Sequence, residues 1–302
     1  MKIKKYAAID IGSNAIRLLI SNVIETKENE TQYKKVSLVR VPIRLGKDVF
    51  GKGIISKENQ QRMIDAMKAY KLLMQVHQTE KYMACATSAM REAKNGKEIV
   101  DLIYKESGIK INIIDGETEA KIISSTDLSE LIDGNKSYLY VDVGGGSTEF
   151  TVFSKGKVIA SKSYKMGTVR LLDKKKNKET WKSIEKWIKT NTQNIGSISL
   201  IGSGGNINTI FKRSGNKLGK PLSYIYLNAH YKFLKSMTYE ERIAELSLNP
   251  DRADVIIPAT KIYLSAMKWS NARKVYVPKI GLADGIIKSL HLGKFDEVDA
   301  LN

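Results

Sequence analysis

The sequence predicts an α/β protein made of two related domains in tandem, facing each other across a cleft. Three observations carry this expectation. A chain of 302 residues exceeds what one ordinary core encloses, and two domains of about 150 residues each is the prior. The order of elements, three hairpin-linked strands and then alternating helices and strands, occurs twice. One local pattern repeats with it. Setting YAAIDIGSNAIRLL at 6–19 against LYVDVGGGSTEFTV at 139–152 superposes Asp10 on Asp142 and Gly12 on Gly144.

In the first half, apolar β-rich runs at about 6–11, 15–24 and 34–44 are short and separated by Gly-Ser-Asn or polar turns, as consecutive strands are. A helix follows, capped by Ser56, with Met63, Met67, Tyr70 and Met74 at helical spacing. Next come a strand near 81–86, a helix at about 95–107 ended by Gly108, a strand INIID at 111–115 and a long helix from just after Gly116. In the second half, strands near 148–154 and 157–165 follow the repeated motif. A helix around 181–194, a strand SISLIG at 197–202, helices from 205 and at 252–270, a strand KVYVP at 274–278 and a last helix from 281 complete it. The expected division is 1–124 plus a returning helix at 287–302 for one domain, and 125–286 for the other.

Composition narrows the classes. Hydrophobic residues make up 42% and charged residues 27%, ordinary values for a globular protein that argue against disorder. A single cysteine, Cys85, rules out an intrachain disulfide and favours the reducing cytoplasm. The N-terminus imitates a secretory signal, but Asp10, Asn14 and Arg17 interrupt its apolar run. No apolar stretch approaches the roughly 20 residues of a membrane span. The formal net charge of +18 calls for an acidic partner, or reflects lysines scattered over solvated faces. No long basic block is present, which disfavours a basic tail.

Three glycine turns carry candidate chemistry. Glycine lets backbone N–H groups approach an anion closely, because no Cβ stands in the way. The turns after Asp10 and Asp142 lead into strands, unlike the phosphate loop that leads into a helix. Asp142 and Glu149 flank the second turn. Carboxylates beside a phosphate repel it unless a cation lies between, so magnesium is the physical inference. LIGSGGNINTI at 200–210 sets Gly202, Ser203, Gly204 and Gly205 at a helix start, a ready anion site. INIIDGETEAKI places Glu117 and Glu119 in the first turn of a helix, where helix-dipole compensation accounts for Glu117; spacing alone assigns Glu119 no other role.

Together these stretches resemble the exopolyphosphatase and guanosine-pentaphosphate phosphohydrolase family of the actin and sugar-kinase superfamily. The likeness runs from Ala7 to about Leu290 and rests on AIDIGSNAIRLLI, ATSAMREAKNG, DGETEA, VDVGGGSTEF, MGTVRL, LIGSGGNI and NPDRADVIIPA in that order. It implies two ribonuclease H-like (actin-like) domains. It implies phosphate binding by Gly12, Ser13 and Asn14 and by Gly144, Gly145, Gly146, Ser147 and Thr148, with Arg91 facing the phosphate chain and Arg17 a weaker candidate of the same kind. It also implies Glu119 as general base and Asp142 and Glu149 as holders of Mg2+ or Mn2+, with K+ as a conceivable activator. Asp115 departs from the pattern, standing where the family usually has a small hydroxyl residue, and adds negative charge near the implied base. The chain is expected to lack the C-terminal helical extension of larger relatives, with a homodimer left open.

The expected function is release of terminal orthophosphate from inorganic polyphosphate. Hydrolysis of guanosine pentaphosphate is the alternative within the enzymes, and an ATP-dependent kinase a more remote one. A non-catalytic polyanion or nucleic-acid binder is the alternative of another class; its one supporting stretch, YKFLKSMTY at 231–239, reads instead as an amphipathic helix.

Overall fold

Strands β1 (Lys2–Ile11), β2 (Ile16–Glu25) and β3 (Thr31–Val41) form an antiparallel meander, joined by a four-residue turn between β1 and β2. Helices α1 (Leu45–Lys52) and α2 (Lys57–Val76) precede β4 (Lys81–Ala86), which pairs parallel to β1. Then come α3 (Ser88–Glu92), α4 (Gly96–Ser107), β5 (Ile111–Ile113) and α5 (Gly116–Ser124), giving a sheet of order β3-β2-β1-β4-β5. In the computed structural model the described residues are 1–26, 31–124, 126, 135–172 and 178–293. Two units emerge: Met1–Thr126 with Leu282–Asn302, and Asp127–Gly281.

The second unit repeats the plan. Strands β6 (Ser137–Val143), β7 (Thr148–Ser154) and β8 (Lys157–Tyr164) form its meander, followed by α6 (Lys178–Thr192) and β9 (Ile198–Ser203), which is parallel to β6. Helix α7 (Gly205–Arg213), the two-residue β10 (Leu222–Ser223), helices α8 (Tyr224–Ser236), α9 (Tyr239–Ala244), α10 (Pro250–Ala253) and α11 (Ile256–Trp269), and strand β11 (Lys274–Tyr276) complete it. The order β10-β11-β9-β6-β7-β8 matches the first sheet strand for strand, apart from the added edge strand β10. This is the tandem ribonuclease H-like pair expected from the sequence. Helix α12 (Leu282–His291) returns to the first unit and packs on β1, β2, β4 and α5.

Alternation decides which side of each strand carries chemistry. In β1 and β2, Ala7, Ile9, Ile11, Ile16, Leu18 and Ile20 point to one core, where Met63, Met67, Tyr70 and Met74 of α2 meet them. The intervening residues, Asp10 and Arg17 among them, face the side taken by α5 and α12, where Tyr6 meets His291. In the second unit Leu139, Val141, Val143, Phe150 and Val152 enter the core, and Asp142 and Glu149 lie on the other side.

Local signals account for most boundaries. The Ser56 hydroxyl accepts the Asn59 N–H at 3.3 Å, and Gly108 closes α4 at φ 73°. The sequence pattern misses α1 and α3, because neither has a side chain capping its first turn. The stretch 231–239 is not one helix: it ends α8 and begins α9, since Thr238 forms a capping box with Glu241 that starts a new helix. Likewise 252–270 divides into α10 and α11. The long helix expected after Gly116 is described only as far as Ser124, and residues 125 and 127–134 lie outside the described residues. Among the described residues no helix is long and apolar enough to cross a membrane.

The approach of α12 to α5 depends on Gly285, where an added Cβ would land on the Ile122 carbonyl. Gly285→Ala is therefore expected to lower stability by about 1–3 kcal/mol through overpacking. A thermal unfolding midpoint equal to that of wild type would contradict this close contact.

Candidate functional site

Both glycine turns close in the same way. The Gly12 N–H donates to the Ala15 carbonyl at 3.1 Å, and the Gly144 N–H donates to the Ser147 carbonyl at 3.0 Å. A Cβ on either glycine would stand 3.2 or 3.1 Å from that carbonyl, so the tight closure selects glycine at the first position. Each turn is also held from behind by the segment after the third strand. In the first unit the Gly46 N–H reaches the Ser13 carbonyl and the Arg44 N–H the Asn14 carbonyl. In the second, Thr168 donates to Gly144 and both Val169 and Arg170 to Gly145, while the Arg170 side chain reaches the Gly146 carbonyl at 3.0 Å. The turn carbonyls are thus bonded backwards, which leaves the amides of Gly145, Gly146 and Ser147 as the groups available to an anion.

In the first unit, Asp10 is buried and its Oδ2 accepts from Arg17 at 2.8 Å. Burial pushes the Asp10 carboxyl up and Arg17 opposes that rise. Cys85 lies beside Asp10 on β4. Burial lifts its thiol to about 12, with the charges of Asp10 and Glu119 adding to the effect. Glu119, half-buried on α5, therefore shares one neighbourhood with Asp10 and Cys85. Glu117 behaves as read from the sequence, pairing on the surface with Lys121 at 2.8 Å. Asp115 is exposed and accepts the Thr118 N–H at 2.7 Å. That bond and its side-chain counterpart hold the Asp115 carboxyl below its ordinary value. Its charge caps the start of α5. Arg91 donates to the Ile114 carbonyl, tying α3 to the entry of that helix.

In the second unit, Asp142 and Glu149 stand directly opposite each other in the β6–β7 register. Ser163 donates to Glu149 Oε1 at 2.8 Å. The third turn comes to the same place: at Gly204, with φ 115°, a Cβ would lie 3.5 Å from Asp142 Oδ1 and 2.9 Å from the Val143 carbonyl. Burial holds the Tyr263 phenol well above its ordinary value and the Asp142 charge adds to it. Gly202 differs from its neighbours. It lies within β9 against Val275, Ile207 and Tyr263, where the lack of a side chain serves packing.

Comparison with known proteins fits this geometry. The model of the Ppx/GppA phosphatase family matches residues 23–293. The chain belongs to that family. A bifunctional 3-dehydroquinate synthase/phosphatase of Fusobacterium nucleatum is 30% identical over 285 residues, covering 85% of this chain and 42% of that protein. Exopolyphosphatase 2 of Mycobacterium tuberculosis is 31% identical over 182 residues, covering 58% of this chain and 56% of that protein. The matched regions thus span about half the length of these relatives. Among solved structures, the Aquifex aeolicus Ppx/GppA family member is 25% identical with a TM-score of 0.76, covering 97% of this chain and 99% of that one. An exopolyphosphatase from Cytophaga hutchinsonii is 23% identical with a TM-score of 0.81, covering 96% and 98%. The actin-like fold is shared with both.

Within this Ppx/GppA frame, the donor set at Asp142 and Glu149 suits one metal type. Among the described residues no group of three or more His, Cys, Asp or Glu could hold a metal ion. Two opposed carboxylates fit magnesium, which completes its shell with water and substrate oxygens, and do not fit an all-protein zinc cage. Sequence reasoning left several supporting residues without a role. Thr148, given to phosphate, is fully buried and its hydroxyl donates to the Met166 carbonyl. Similarly, the Ser13 hydroxyl pairs with that of Ser88 at 2.9 Å. Arg252 donates to the Gly205 carbonyl and to Thr209, bracing the start of α7. The MGTVRL and NPDRADVIIPA stretches held these signals, but bonds to distant carbonyls have no sequence spacing.

Gly167 lies so close behind the second turn that an added Cβ would meet the Gly145 and Gly146 backbone. Gly167→Ala should displace the turn and weaken tripolyphosphate binding, since an error of about 1 Å at a binding group has large effects. Titration calorimetry showing wild-type affinity would disprove this support.

Proposed function

We propose that the chain releases terminal orthophosphate from inorganic polyphosphate by direct attack of water. The observation that carries the reading is the duplicated glycine turn, closed by the same bond in each unit and preceded by an aspartate in each, in a member of the Ppx/GppA phosphatase family. The relatives named exopolyphosphatase support polyphosphate as the substrate.

In this reading a water oxygen forms a bond to the terminal phosphorus as the bridging P–O bond breaks. Glu119 takes a proton from the water, and the shortened chain leaves with the bridging oxygen. Phosphoryl transfer needs positioning and charge neutralisation more than covalent help. The amides of Gly145, Gly146 and Ser147 would donate to phosphate oxygens. Asp142 and Glu149 would hold Mg2+, which supplies charge neutralisation at the phosphate when bound. Arg91 on α3, bonded to the Ile114 carbonyl at the entry to α5, would add a positive charge toward the phosphate chain. The basic surplus of +18 favours arrival of a polyanion.

Phosphate release from short-chain polyphosphate, long-chain polyphosphate and guanosine pentaphosphate, with and without magnesium, tests the substrate. The highest specificity constant is expected on polyphosphate, and a preference for guanosine pentaphosphate would replace this reading. Glu119→Gln should fold normally and lose about 100-fold or more in turnover. Near-native turnover would remove Glu119 as the base. Glu149→Gln should raise the magnesium concentration for half-maximal activity about tenfold. An unchanged magnesium curve would move the metal elsewhere.

A further inference from the structure

Residues 186–239 hold eight lysines and arginines and no aspartate or glutamate. Six of the eight stand between Lys212 and Lys235, at the end of α7, in the turn that follows it and along α8. The next carboxylates, Glu240 and Glu241, open α9, where Glu241 already accepts the Thr238 N–H at 2.6 Å. A large share of the +18 surplus is therefore gathered in one stretch of the second unit.

The same stretch exposes its apolar side chains. Leu218 stands 65% exposed in a turn closed by the Lys220 N–H on the Lys217 carbonyl at 3.0 Å. Gly215 and Gly219 flank it at φ 70° and 85°, and a Cβ on either would meet nothing within 4 Å, so this turn projects into open space. The two-residue β10, the edge strand of the six-stranded sheet, leads from the turn straight into α8. On α8, Leu227 and Leu234 enter the core, whereas Ile225, Ala229 and Phe233, each four residues from the next, line the outer face. Ile225 is 80% exposed and Phe233 47%; among the described residues, Met1 alone of the large apolar side chains is more exposed than Ile225. Ring contacts of Tyr226 with His230 at 5.9 Å and of His230 with Phe233 at 6.2 Å widen that face. Burial lowers the His230 imidazole and Arg213 lowers it further, so this row of rings is uncharged at neutral pH.

We propose that the turn after α7 and the outer face of α8 form a docking surface for an anionic lipid bilayer. Leu218, Ile225 and Phe233 enter the boundary between headgroups and acyl chains, and the neighbouring lysines meet lipid phosphates. Charge and shape together select this occupant. A stretch without carboxylates is complementary to an anionic surface. A nucleic acid or a polyphosphate chain would satisfy the lysines and leave Leu218 and Ile225 in water, because aliphatic side chains give bases no stacking platform. A second copy meeting this face about a two-fold axis would set lysines against lysines. A projecting turn beside an exposed helix face needs no preformed groove to enter a bilayer. Such a surface lies on the membrane and does not cross it, in keeping with the absence of a long apolar helix among the described residues.

Co-sedimentation of the intact chain with vesicles tests this surface. At low salt the chain is expected to pellet with vesicles of equal parts phosphatidylglycerol and phosphatidylcholine, and about tenfold less with phosphatidylcholine alone. Binding should fall about tenfold or more at about 1 M salt, where the Debye length is about 3 Å. Leu218→Asp and Ile225→Asp should each weaken binding to anionic vesicles about tenfold, since each removes apolar burial and adds a repelled charge. Lys217→Ala and Lys232→Ala should each cost about fivefold. All four side chains are solvent-facing and outside the glycine turns, so thermal midpoints and phosphate release should match wild type; Phe233→Ser replaces any variant that melts early. Three results would overturn the proposal: no pelleting with anionic vesicles, equal pelleting with neutral ones, or wild-type pelleting by folded Leu218→Asp and Ile225→Asp. Binding of single-stranded DNA, or a dimer in sedimentation velocity, that Ile225→Asp abolishes while vesicles are ignored would assign the face to that partner instead and overturn it too. A chain that pellets through Ile225 but releases no phosphate would keep the docking surface and overturn polyphosphate hydrolysis.

Discussion

The bond from the first glycine N–H of each turn to the carbonyl three residues on shapes the first two strands, the turn and everything behind it. That bond draws the chain back so sharply that a Cβ at Gly12 or Gly144 would crowd the accepting carbonyl at 3.2 or 3.1 Å. It also forces the remaining turn carbonyls outward, where they need partners, since buried backbone acceptors are rarely left unbonded. The segments 43–46 and 166–170 supply those partners with their own N–H groups. Gly46 and Gly167 are glycines for that reason: each approaches the turn so closely that a side chain would meet Ser13 or the Gly145–Gly146 backbone. Two glycines per unit, far apart in sequence, thus serve one constraint. The amides of Gly145, Gly146 and Ser147 are then the groups of the second turn that an anion could use.

A cradle made of backbone is indifferent to most side chains, and this is why the repeat can diverge in charge. Asp10 and Asp142 occupy the same place at the end of the first strand, yet their partners differ in sign. With Arg17, the aspartate is neutralised and acts as an anchor. With Glu149, it is one half of a pair that calls for a cation. The environments follow suit. Asp10 is buried beside Cys85, whose thiol also feels the charge of Glu119, whereas the Asp142 row has hydroxyl groups on both sides, and Ser163 bonds Glu149. Serine hydroxyls tolerate carboxylates as hydrogen-bond donors, while a thiol is a poor donor. Each row is consistent with its own charge state.

The tandem architecture was legible because it rests on periodicity and on a repeat 132 residues apart, taken from Asp10 to Asp142. Strand alternation and spaced methionines on α2 are local patterns, and they predict both cores. Helices α1 and α3 were not legible, because their first turns have no capping side chain and tertiary contacts hold them instead. The site divides along the same line. Asp142, Glu149 and the glycine turn between them stand within ten residues of one another, so the sequence displays them together. The roles of Arg170, Arg252 and Gly167 depend on carbonyls 22 to 47 residues away. Thr148 adjoins the turn, and its hydroxyl donates to the Met166 carbonyl, a partner that no sequence spacing announces.

Net charge and local charge then have separate tasks. A surplus of +18 acts at long range, but at physiological ionic strength screening confines it to about 8 Å. It can gather a polyanion near the surface and cannot cancel two carboxylates that face each other across a strand pair. At a separation of about 4 Å, a carboxylate and a phosphate repel by roughly 4 kcal/mol per charge pair near a protein surface. Only a cation bound at the carboxylates themselves offsets a term of that size. Magnesium dependence is therefore expected from the Asp142–Glu149 row, although the first unit is built on the same repeated backbone.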